Sequence, residues 1–126
     1  MKRWTLWVAA AALTVGAAMT AVVAQESANK EATITGEVVD LKCYVAAGAK
    51  GPGHKGCATG CIKGGGPAGI LEAKTDKLYI VVAAKPGGNP AEKLMDHIAA
   101  QVTVTGPVGM RGGVHTIVVN TVKAAQ

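Results

Sequence analysis

The chain contains no phenylalanine, and both of its tryptophans, Trp4 and Trp7, fall at the extreme N-terminus. Beyond them the only aromatic rings are Tyr44 and Tyr79. Surfaces that grip sugars or single-stranded nucleic acids stack their ligands on several rings, so this composition argues against both. The core has to be assembled from Val, Ile, Leu and Ala, and so thin a core gains from a cross-link or a metal. Serine is nearly absent. Ser27, the only one, precedes the region that can fold, which removes a serine nucleophile from consideration. Arginine is equally scarce, with Arg111 the only one after Arg3. The formal charge of +5 therefore comes mainly from dispersed lysines and makes no nucleic-acid footprint.

Lys2 and Arg3 lead into an uncharged apolar run from Trp4 to Ala24, and polar residues follow from Gln25. That layout predicts a secretory signal over residues 1–24 and export to the periplasm or the extracellular space. The run is also long enough to anchor the chain if it is retained, so membrane contact is expected only through this segment. Residues 25–31 read as a flexible tail, and 32–125 as a single domain.

Within that domain, "ATITGEVVDLKCYV" (32–45) is rich in β-branched residues and predicts a long strand, with a bulge at Gly36. Residues 46–69 are dense in glycine and proline and predict a loop, with a helical turn or two around 54–63. Two strands around a Lys-Thr-Asp turn follow over 69–84. In "NPAEKLMDHIA", Asn89 can cap a helix and Pro90 suits its first position. Ala91, Leu94, Met95 and Ile98 recur there at helical spacing, so Met95 is read as core and His97 as solvated. "QVTVTGPV" predicts a fourth strand, "MRGG" a turn containing Met110, and "VHTIVVNTV" a fifth strand with His115 facing the barrel wall. The expected fold is mainly β. It is a small five-stranded OB-like barrel, with one helix between strands 3 and 4 and a Gly-rich Cys/His loop between strands 1 and 2.

All the cysteines lie in that loop, "CYVAAGAKGPGHKGCATGC", together with one histidine. His54, Cys57 and Cys61 are spaced i, i+3, i+7 and share one face if 54–63 is helical. Pro52 and Gly53 suit the start of that helix, and the run Gly64-Gly65-Gly66-Pro67 ends it. Folding the loop back would set Cys43 opposite these three. Cys43, His54, Cys57 and Cys61 then form a Cys3His set, which suits tetrahedral Zn(2+), with Cu(I) as the second candidate for so soft a site. Lys42, Lys50, Lys55 and Lys63 flank the segment, with Asp40 the nearby acid, and their charge favours deprotonated sulfur. A structural or metal-handling role is expected, not an enzyme, because no residue in the sequence stands out to orient the His54 imidazole toward Cys57.

Two other readings remain open on the residues alone. In an oxidising compartment Cys43 could pair with Cys57 or Cys61. That would give a disulfide-stabilised OB-type module for a partner protein or an oligomeric ligand. Such a pairing leaves an odd thiol beside His54. A copper-handling or thiol redox protein is the third reading. Cys57-Ala-Thr-Gly-Cys61 has the C-x3-C spacing of exported copper proteins of the Sco type, although those carry a thioredoxin-like fold and a distant histidine.

The fuller pattern "GEVVDLKCYV…GPGHKGCATGCIKGGGPAGIL…KLYIVV…VTVTG" resembles a group of small, largely uncharacterised bacterial exported proteins. They share a strand ending in Cys-Tyr, a Gly-x-x-His-x-x-Cys-Ala-x-x-Cys loop and a following strand. The likeness runs from about Thr35 to Val122. It implies that the Cys/His set and the OB-like ending occur together, and it carries no established activity.

Overall fold

The structure, a computed structural model, describes residues 29–126. The predicted signal segment (1–24) and most of the predicted tail lie outside the described residues. Six strands are present: β1 (Lys30–Asp40), β2 (Ala68–Glu72), β3 (Leu78–Val81), β4 (Gln101–Arg111), β5 (Val114–Ile117) and β6 (Thr121–Ala124). Two α-helices, α1 (Leu41–Ala47) and α2 (Lys55–Lys63), lie between β1 and β2. No helix among the described residues is long and apolar enough to cross a membrane.

Five strands close on themselves in the order β1-β2-β3-β5-β4 and back to β1, and β6 adds to the outer side of β4. The β3–β5 pairing is parallel and the others are antiparallel. This is the expected OB-like barrel with one extra strand. Closure depends on β1 serving two neighbours. Lys30 to Glu37 pair with β4, and Gly36 to Asp40 pair with β2. Both registers run without interruption through Gly36, so the predicted bulge is absent. Glycine is needed there for a different reason: a Cβ would sit 2.1 Å from the Leu71 carbonyl oxygen.

The predicted last strand is divided in two. Val108 pairs with Ile117, but Thr105 pairs with Thr121, so the register slips by one residue between β5 and β6. The slip falls where Pro107 has no N–H to donate. Beside it, Gly106 leaves room for the Val118 carbonyl oxygen, which a Cβ would approach to 1.7 Å. Met110 lies in β4 and not in the turn, which is made by Gly112 and Gly113 at positive φ.

The segment between β3 and β4 is a 3-10 helix, Glu92–His97, and not the predicted α-helix. Asn89 is not its cap: the N-cap is Ala91, without a side-chain cap bond, and the Asn89 Oδ1 accepts the Ala91 N–H at 3.0 Å in the turn that precedes the helix. At the far end Ala99 donates to the Val38 carbonyl (2.9 Å), and Val38 donates to that of Ala100 (3.1 Å). Pinned at both ends over a short span, the segment winds more tightly than an α-helix would. Ala91, Leu94 and Ile98 are buried and plug the barrel, while Met95 is half-buried against the core and His97 is half-buried rather than solvated. The interior is the expected aliphatic set, with Val38, Ile70, Val102, Val104 and Ile117 fully inaccessible. His115 packs its ring 5.5 Å from that of Tyr79, as befits a wall histidine.

Candidate metal centre

The first strand ends five residues before its predicted limit, and the reason is Asp40. Its carboxylate accepts the Lys42 N–H at 3.1 Å, the bond of a helix N-cap, and so starts α1. Cys43 is therefore a helical residue in the first turn of α1 and not the last part of a strand. Gly48, at φ 66°, closes α1 by donating to the Tyr44 carbonyl at 2.7 Å. The chain then returns past β1, where the buried Glu37 carboxylate accepts the Gly51 N–H.

Pro52–His54 form a 3-10 turn that runs into α2, His54 having near-helical φ and ψ (−97°, −2°). The predicted helical spacing of His54, Cys57 and Cys61 is thus realised. The predicted stop is present too: Gly64 donates to Gly60 and Gly66 to Cys61 at 3.0 and 2.9 Å. The helix is held down by Ala58 and Ile62, which are buried in the barrel core. Leu41 N–H to Pro67 C=O, at 3.0 Å, closes the neck of the insert.

These elements bring the four predicted ligands into one cluster, with a fifth group that the sequence reading left out. Donor atoms of Cys43, His54 and Cys57 lie within 4.8 Å of one another. Those of Asp40, Cys43 and Cys61 form a second triad within the same limit. Cys43 belongs to both, whereas His54 and Cys61 fall in different triads. The three cysteines are free thiols, with Cys57 exposed and the other two half-buried. Asp40 is wholly buried, so the cluster has a carboxylate floor and a solvent-facing sulfur. Two of its buried polar atoms have no hydrogen-bond partner, Asp40 Oδ2 and His54 Nε2. Buried polar atoms are seldom left so, and cations held among the donors would satisfy them.

The electrostatics of the cluster centre on Asp40. Burial alone would raise its carboxyl. The adjoining Cys43 thiol, the Lys42 N–H, the Cys61 thiol and the Cys43 N–H together outweigh burial and hold it below the ordinary carboxylate value. The converse acts on sulfur. The Cys43 thiol is pushed up to about 12, first by the polar contact of the Asp40 carboxylate, then by burial, by the carboxylate's charge and by Cys57. Cys61 is raised as well, again chiefly by the adjoining Asp40 carboxylate. Without a metal, both thiols therefore keep their protons at neutral pH, the opposite of the depressed pKa that makes a redox cysteine reactive. The flanking Lys42, Lys50, Lys55 and Lys63 all have exposed side chains, and no side-chain cation is among the groups shifting Asp40.

The cluster can hold a metal ion through Cys and His donors. The missing member, Asp40, had a signal in the Asp-x-x-Cys spacing. In a strand those residues point to opposite faces, and in a helix they share one. Comparisons with protein-family models, with curated proteins and with solved structures gave no match to this chain.

Proposed function

We propose that the protein is an exported metal-binding domain whose Cys43, His54, Cys57 and Cys61 ligate a divalent cation, with Zn(2+) the best fit. The observation that carries this reading is the His54 imidazole, clustered within 4.8 Å with the sulfurs of Cys43 and Cys57 while its Nε2 is buried and unpartnered. Two kinds of support point to zinc over Cu(I). The imidazole and the neighbouring carboxylate are harder donors than Cu(I) prefers, and thiolate plus imidazole is a usual zinc set. The role is structural or metal handling rather than catalysis. In an oxidising compartment a bound cation also keeps close sulfurs from pairing. The sequence resemblance to small exported bacterial proteins rests on these same residues, and membership of that group is part of the proposal.

Native and denaturing mass spectrometry of the purified chain, with thiol counting, tests it. The expected result is bound zinc in the native state and three free thiols once the metal is removed. A mass lower by two hydrogens with no metal would replace this reading with the disulfide-held binding module. His54→Ala should lower zinc retention and the melting temperature, and unchanged retention removes His54 from the ligand set.

A further inference from the structure

Asp40 is not used by the four-ligand reading, yet it is the most deeply buried charge in the region, at 0 % exposure. One oxygen is committed to the α1 cap through the Lys42 N–H. The other has no hydrogen-bond partner and belongs to a carboxylate that forms a donor triad with Cys43 and Cys61. The groups that favour its ionised form are neutral thiols and amide N–H groups, so the charge itself has no cation beside it. The exposed lysines of the insert do not supply one.

Three thiolates and one carboxylate carry four negative charges, and a single divalent ion would offset half of them. Two divalent ions would offset all four. The donor arrangement matches, since there are two triads and they share only the Cys43 sulfur. A thiolate sulfur has lone pairs enough to bind two cations at once.

We propose that the centre holds two divalent cations, one on the Cys43–His54–Cys57 triad and one on the Asp40–Cys43–Cys61 triad, with the Cys43 thiolate bridging them. This rests on the metal-binding reading above and divides its four ligands between two ions. Loading releases the three thiol protons to the buffer and changes no oxidation state. Each ion has three protein donors, which leaves a position for water or an incoming ligand, the arrangement of an exchangeable site rather than a sealed one. The exposed Cys57 puts that opening toward solvent. The carboxylate of the second triad favours a divalent ion over Cu(I).

The experiment is a titration of the reduced, metal-free chain with zinc chloride, followed by native mass spectrometry. Two zinc ions per chain are expected at saturation. Asp40→Asn and Cys61→Ala should each reduce this to one, and His54→Ala should also leave one. Asparagine caps a helix as well as aspartate does, so D40N should keep α1, and an unchanged circular dichroism spectrum would verify that. One zinc at saturation in the unsubstituted chain, or two zinc ions retained by D40N, overturns the two-ion centre while leaving the metal-binding reading standing. No zinc at all overturns both.

Discussion

The barrel withdraws Val38, Ile70, Leu94, Ile98, Val102, Val104 and Ile117 completely from solvent, whereas the insert between β1 and β2 buries only Leu41, Ala58 and Ile62 as apolar side chains. The two regions are of similar importance to the fold map and very different in what holds them. A barrel of closed strands satisfies its backbone internally and rests on hydrophobic burial. The 41–67 insert has two short helices, a Gly-rich path and a knot of polar donors. Three apolar anchors dock it, and its interior is organised around Asp40 and sulfur. Order in such a region has to come from caps, turns and whatever binds the donors.

Metal removal should produce the largest difference between the two regions. With a strong chelator, amide exchange should accelerate across 41–67 while the β4 amides stay protected, as expected where metal binding and local folding are one process. Equal loss of protection in both would show that the insert and barrel fold as one unit. The complementary perturbation is Leu94→Ala at the barrel plug. It should cost about 2–5 kcal/mol in urea unfolding and lower both regions together, since the insert is anchored on the barrel.

Acid should act on the insert through its protons. Cys43 and Cys61 have raised pKa values, so below neutrality each proton opposes metal binding. With three thiol protons displaced on loading, the overall zinc binding constant should fall about 1000-fold per pH unit, which competition with a chromophoric chelator can measure. The metal-free protein shows the same groups from the other side. A thiol raised in the folded state stabilises it fully below the unfolded thiol pKa of about 8.5. That contribution is lost as pH rises toward the folded value of about 12 for Cys43. The lowered Asp40 contributes above about pH 3.9, its unfolded value, and loses this as the pH falls. Alkaline destabilisation of the metal-free chain should flatten in D40N. The smallest effect belongs to the barrel again: Asn89→Ala removes the turn bond to the Ala91 N–H ahead of the 3-10 helix and should cost about 1 kcal/mol, with no change in zinc content.

Much of this contrast was legible in the residues. The β-branched runs and the spacing of glycine and proline located five strand regions and the insert. The i, i+3, i+7 spacing of His54, Cys57 and Cys61 predicted their common helical face. The errors share a cause. Asp40-Leu-Lys-Cys-Tyr-Val continues a strand by composition, and local propensity is weak against a side-chain cap, so α1 and the place of Asp40 beside Cys43 and Cys61 were missed. Likewise the apolar spacing in 91–98 identified the buried residues Ala91, Leu94 and Ile98 but not the winding, because a 3-10 helix and an α-helix bury similar positions over one or two turns.

By itself the sequence determined that the core is aliphatic, that a closed β architecture is interrupted by one Gly-rich insert, and that every cysteine lies in that insert, because these follow from composition and periodicity along the chain. The tertiary structure alone decided that the four soft donors and the buried Asp40 carboxylate fall into two triads that share Cys43. Those are distances between residues brought together by chain reversal, and no one-dimensional spacing encodes which way a reversing chain turns its side chains.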